Sequence, residues 1–128
     1  MLDKTIIQTE NAPLPIGPYS QGVSIHGMLF ISGQIPIDPE TGEVVEGDIK
    51  KETQQVMDNL KAILDKAGLD FQNVVKCSIF LTDMNDFPVV NEVYGEYFDE
   101  EEAPARETVQ VAALPKNVRV EISLMAVE

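Results

Sequence analysis

Two ionisable residues in the last quarter of the chain, Arg106 and Glu121, have the types and spacing to do chemistry together. Arg106 follows Pro104-Ala105, so the backbone is stiffened just ahead of a guanidinium. That group captures a carboxylate through two parallel hydrogen bonds. Glu121 stands in a run where Val118, Val120, Ile122 and Leu124 alternate with polar residues. An ionised carboxylate there needs a partner or a function. One such function is to orient or deprotonate a water molecule. Each residue also has a plainer role at this level, as good a fit for Arg106 and a better one for Glu121. Arg106 would serve as an ion pair to an acidic loop of another subunit, and Glu121 as a strand glutamate paired with Arg119 or Arg106.

Other candidates carry weaker signals. Tyr19, after Gly17-Pro18, either overhangs a pocket from a rigid loop or packs. Ser32-Gly33 offers a hydroxyl and a close backbone approach to a ligand, or marks a bulge at a strand end. His26, the only histidine, sits in a His-Gly turn and is expected to be exposed. A Ser-His-Asp arrangement would have to run through it, and Ser32 lies too near along a strand for that. Cys77 reads as an inert core thiol. Clustered metal-ligand spacing is absent, and so is the spacing of a glycine-rich phosphate loop.

The elements that must position these residues follow from periodicity and turn chemistry. Residues 4–9 read as a first strand, followed by a proline-rich loop over 11–18. Residues 22–25 and 28–31 form a hairpin around His26-Gly27. Residues 48–67 are predicted to be helical, with Asp48 as N-cap, Gly68 beyond the C-terminus, and one face formed by Ile49, Thr53, Val56, Leu60, Ile63, Leu64 and Ala67. Residues 74–81 are a strand. A second helix runs from an Asp86 cap to about residue 98, with the stripe Phe87, Val90, Tyr94, Tyr97 and Phe98. Strands over 106–113 and 118–127 close the chain around the turn 114–117. Pairing those two strands antiparallel places Arg106, Thr108 and Gln110 on one face with Glu121 and Ser123.

The fold class expected from this order is α+β, a sheet with two helices on one face. Yet residues 28–31 and 74–81 are apolar on both faces, and strands of that kind want cover on both sides. Two helices supply only one cover, so a homo-oligomer is expected.

The chain has 128 residues, the length of one domain spanning 1–128. Its net charge of −13, with scattered lysines, disfavours nucleic acid as a partner. No run is apolar and long enough to span a bilayer, nothing resembles a signal peptide, and one cysteine excludes an internal disulfide. A cytoplasmic location is the expectation.

Six short segments, in order, give the chain a resemblance over essentially its full length. They are Gly17-Pro18-Tyr19-Ser20-Gln21, Phe30-Ile31-Ser32-Gly33-Gln34-Ile35, Asn59-Leu60, Pro104-Ala105-Arg106, Val111-Ala112-Ala113-Leu114-Pro115-Lys116 and Val120-Glu121-Ile122. With these the chain resembles the reactive-intermediate deaminase (RidA, YjgF) family. The resemblance implies a chorismate-mutase-like fold, a homotrimer with active sites between subunits, and no cofactor. It also implies hydrolysis of 2-iminobutanoate and 2-iminopropanoate to 2-oxo acids and ammonia, protecting pyridoxal-phosphate enzymes from damage. Carried over residue by residue, Arg106 binds the substrate carboxylate, and Glu121 positions the water and relays a proton. Tyr19, Ser32 and Gly33 line the pocket. Asn91 matches an asparagine of the second helix and is placed among the substrate-binding residues, and Thr108 acts through its backbone carbonyl. Glu107 departs from the family pattern, and alternation turns it away from Arg106.

Three rival functions fit parts of the pattern. A non-catalytic trimer that binds 2-oxo acids needs Arg106 but not Glu121. A ribonuclease or translation inhibitor is opposed by the charge, and a chorismate mutase by the presence of only two arginines for a dianion.

Overall fold

The computed structural model describes residues 2–128. Strands β1 (Thr5–Ile7), β2 (Gly22–Ile25) and β3 (Met28–Gln34) precede helix α1 (Ile49–Lys66). Strand β4 (Val74–Leu81), helix α2 (Phe87–Gly95), β5 (Ala105–Gln110) and β6 (Val120–Val127) follow. All six strands form one sheet in the order β1-β2-β3-β6-β4-β5. Every pairing is antiparallel except β4 with β5, so the sheet is mixed and the fold is α+β.

Local chemistry explains the elements. His26 and Gly27 both have positive φ, 50° and 77°, which suits the twist of a two-residue hairpin between β2 and β3. The Asp48 side chain accepts from Lys51 N at 2.8 Å and caps α1. Gly68, at φ 78°, ends that helix. Its N–H donates to Asp65 O, and Leu69 N–H donates to Leu64 O, the double closure of a Schellman motif. Asp86 makes no side-chain cap for α2; Asp83 instead accepts from Asn85 N and caps the short 3-10 turn ahead of it. α2 stops at Gly95, short of the expected residue 98.

The core lies between the helices and one face of the sheet. Val56, Leu60, Ile63 and Leu64 of α1 and Val90 of α2 pack with Ile79, Leu81, Val120 and Ile122. The opposite face is uncovered in this chain. Ile6, Met28, Phe30, Val109, Met125 and Val127 stand there, each more than a third exposed.

The expected hairpin between the last two strands does not form. β5 pairs parallel with β4 on the far edge, and β6 runs between β3 and β4. α2 is the crossover that parallel pairing requires. Placed between β3 and β4, β6 is paired along both edges, and its helix-facing Val120, Ile122, Leu124 and Ala126 are all buried.

Candidate active site

This topology separates the two leading residues. Arg106 pairs with Cys77 of β4, whereas Glu121 pairs with Phe80. Cys77 is buried on the helix side, and Phe80, three positions on, points to the other face. Arg106 and Glu121 therefore lie on opposite faces of the sheet, contrary to the shared face expected from an antiparallel pairing. Strand β4 also stands between them, adding about 10 Å of lateral separation. No small substrate reaches both within one chain.

Glu121 belongs to a cavity of about 720 Å³ that gathers Tyr19, Ser32 and Gly33 around it. Gln34, Ile35, Ile37, Pro115 and Lys116 complete its floor, and Pro13, Leu14 and Ile16 form an apolar wall. Buried amides hold that wall. Gln21 donates through Nε2 to Thr9 O, Ala12 O and Pro13 O, and its Oε1 accepts from Thr9 N. Asn59 of α1 donates to Ile35 O and Ile37 O. Ser32 Oγ already donates to Ser20 O at 2.6 Å, so the hydroxyl serves to tie the Tyr19 loop to β3. Ser32 and Gly33 form a bulge, since Ile31 pairs with Leu124 and Gln34 with Ile122.

The Glu121 carboxylate has no salt bridge among the described residues. Burial pushes its pKa above the ordinary glutamate value. Arg119, offered above as a partner, instead donates through Nε to the buried Glu52 of α1 at 2.8 Å and bonds Gly47 O. That pair fastens the start of β6 to α1. The preceding turn carries Lys116 and Asn117, both at φ 56°, a left-handed pair uncommon for such side chains.

Arg106 opens onto a second hollow, lined also by Asn91, Tyr94, Glu96, Phe98 and Glu100. Its Nη1 donates to Asn91 Oδ1 at 2.7 Å. Its Cζ lies 5.4 Å from the Phe87 ring centroid and 5.0 Å from that of Tyr94. Asn91 thus holds the guanidinium. Thr108 shares this face, and its Oγ1 is buried without a hydrogen-bond partner. Phe87 and Tyr94 were legible in the sequence only as members of a helix stripe, and Lys116 only as part of a motif.

Glu107 faces the other way, as alternation requires. It pairs with Lys76 Nζ at 2.7 Å and accepts from Ser78 Oγ, and these contacts hold its pKa below the ordinary value. Cys77 is buried and its thiol is pushed up to about 11 by burial. His26 is exposed at its turn, as expected. Among the described residues no cluster of His, Cys, Asp or Glu is arranged to hold a metal ion, and no helix is long and apolar enough to cross a membrane.

Comparisons with known proteins agree with one another. The family model for endoribonuclease L-PSP matches residues 9–128. A RutC family protein of Pyrococcus horikoshii is 57% identical over 123 residues, spanning 96% of this chain and 97% of that protein. The crystal structure of Escherichia coli TdcF with bound serine has 48% identity and a TM-score of 0.91, covering 97% of this chain and 98% of that one. TdcF is named as a proposed reactive intermediate deaminase. The structure of the YjgF gene product of Escherichia coli, also 48% identical, gives a TM-score of 0.90 with 97% and 98% covered. The chain belongs to the endoribonuclease L-PSP family, the family of the YjgF and RidA proteins.

Proposed function

We propose that this protein is a cofactor-free hydrolase that converts 2-imino acids, such as 2-iminobutanoate and 2-iminopropanoate, to 2-oxo acids and ammonia. Its role would be to spare pyridoxal-phosphate enzymes from these reactive products, in the cytoplasm. The observation that carries the reading is the unpaired, half-buried carboxylate of Glu121, set in a cavity beside Gly33. A carboxylate kept from cations and partly from water is suited to proton transfer near neutral pH.

The site is built between copies. The chain is one domain of chorismate-mutase-like fold, and three copies form a ring. Each uncovered sheet face meets a neighbour, and Arg106 of one copy is brought to the Glu121 cavity of the next. The exposed apolar face and the separation of the two residues both support this. Arg106 clamps the substrate carboxylate through its free guanidinium edge. Tyr19, Ser32, Gly33, Asn91 and the Thr108 backbone line or hold the pocket, and Leu14 and Ile16 receive the aliphatic side chain.

The chemistry balances with these groups alone. Glu121 takes a proton from water as the oxygen adds to the iminium carbon and the C=N electrons move to nitrogen. The protonated Glu121 then gives its proton to that nitrogen. Collapse of the tetrahedral adduct breaks the C–N bond and forms C=O. The hydroxyl proton leaves with ammonia as ammonium. An iminium carbon is already electrophilic, so positioning supplies most of what is needed.

The test generates 2-iminobutanoate in situ from threonine with a dehydratase. Faster appearance of 2-oxobutanoate, lost in Arg106→Ala, supports the proposal. No acceleration, and no effect of that variant, overturns it. A non-catalytic binder is favoured by one observation, the serine held by TdcF, and it would bind 2-oxobutanoate without turnover. The family's endoribonuclease description fits this chain less well, because a net charge of −13 opposes phosphate binding.

A further inference from the structure

Arg106 is anomalous for a surface arginine in an acidic chain. Glu96 and Glu100 line the same hollow, and the acidic loop 99–102 is close in sequence, yet Arg106 makes no salt bridge among the described residues. Its contacts come from α2 instead. Phe87, Asn91 and Tyr94 are spaced at i, i+4 and i+7, so they form one stripe along the helix. The rings of Phe87 and Tyr94 approach the guanidinium carbon, and Asn91 Oδ1 takes one Nη1 proton. Tyr94 is itself fixed, 95% buried and packed on Phe98 with 4.7 Å between ring centroids. No oxygen or nitrogen pairs with its hydroxyl, which lies near the buried Cys77 thiol, and it is the ring that Arg106 meets.

We infer that the Phe87–Asn91–Tyr94 stripe of α2 is the holder that keeps Arg106 extended and unneutralised, with its remaining guanidinium edge free for an incoming carboxylate. The inference rests on the proposed role of Arg106 and adds three positioning residues to it. A guanidinium has five N–H donors, and one is used here. Aromatic contacts stabilise the cation without consuming donors, whereas a Glu96 or Glu100 partner would occupy the fork that the substrate needs. Parallel pairing of β5 with β4 is what brings the arginine beside α2, because the helix is the crossover between those two strands.

The experiment compares Tyr94→Phe, Tyr94→Leu, Phe87→Leu and Asn91→Ala in the imine assay, and follows the Arg106 guanidinium by nitrogen-15 NMR of the intact protein. Tyr94→Phe should match wild type in KM, kcat and guanidinium signal. Tyr94→Leu and Phe87→Leu should raise KM by roughly threefold to tenfold with little change in kcat, and speed guanidinium rotation. Asn91→Ala should do the same, and provides the reading if a ring variant fails to fold. Unchanged KM and rotation in the leucine and alanine variants would overturn the inference. An Arg106→Ala control separates the two levels. If it turns over the imine as wild type does, carboxylate capture by Arg106 is wrong, while guanidinium rotation in the α2 variants still decides whether the stripe holds the side chain.

Discussion

The Glu121 carboxylate lies directly against the backbone of Gly33. A Cβ built on that glycine would fall 2.5 Å from Glu121 Oε2 and 2.7 Å from its Cδ. Glycine is required here for close approach, since its φ is not left-handed. Gly33→Ala should therefore leave the fold intact, because a flexible side chain can swing away. It should move the carboxylate out of place. The expected result is a kcat lower by about tenfold to a hundredfold with a near-normal melting temperature, checked by steady-state kinetics and calorimetry.

The raised pKa of Glu121 has two signatures of opposite use. Activity requires the ionised base, so the acid limb of the rate profile should titrate above the ordinary 4.5. Stability runs the other way. Between 4.5 and the raised value the folded chain holds more protons than the unfolded one, so stability falls as pH rises through that window. Glu121→Gln should abolish turnover yet melt a few degrees higher at neutral pH. That gain should vanish below about pH 4, and thermal denaturation at both pH values reads it.

If sites are shared between copies, inactive variants should complement. Arg106→Ala and Glu121→Gln are each expected to be dead. Unfolded, mixed in equal amounts and refolded together, they should recover about a quarter of wild-type sites in a random trimer. Activity that stays at zero in verified mixed trimers would rule out the shared site.

The Arg119–Glu52 pair should respond unequally to its two halves. Glu52 is 5% exposed, while the Arg119 side chain is 40% exposed. Arg119→Met strands a buried carboxylate and should cost about 2–4 kcal/mol. Glu52→Gln leaves an arginine that reaches water and should cost about 1 kcal/mol. Urea denaturation of the two variants distinguishes them.

Much of the fold was legible because its signals are local. The α1 cap, the His26-Gly27 hairpin and the β4 limits depend on neighbours within a few residues, and they stand where periodicity put them. Strand partnership is not local. The β5 and β6 stretches carry the alternation of a hairpin, and nothing within them says that β4 will separate the two. That one misassignment put Arg106 and Glu121 together on a single face. The gathering of Tyr19, Ser32 and Gly33 with Glu121 came from a motif rather than a pattern, and its physical basis lies in Gln21 and Asn59, two buried amides that no periodicity marks. The Glu107 orientation followed from alternation within one strand, which needs no knowledge of partners.

The bulge in β3 carries one residue more than its pairing with β6 requires. Ile31 and Gln34 both face the helices although an odd number of steps separates them, because Ser32 and Gly33 share one place opposite Ser123. Removing either residue would leave two steps between Ile31 and Gln34, the regular alternation, so Gln34, Ile35 and Ile37 would keep their faces. The Ile35 and Ile37 carbonyls that accept from Asn59 would stay within its reach. What would be lost is the local kink that sets Gly33 against Glu121, so a single-residue deletion here should spare the fold and strike the site.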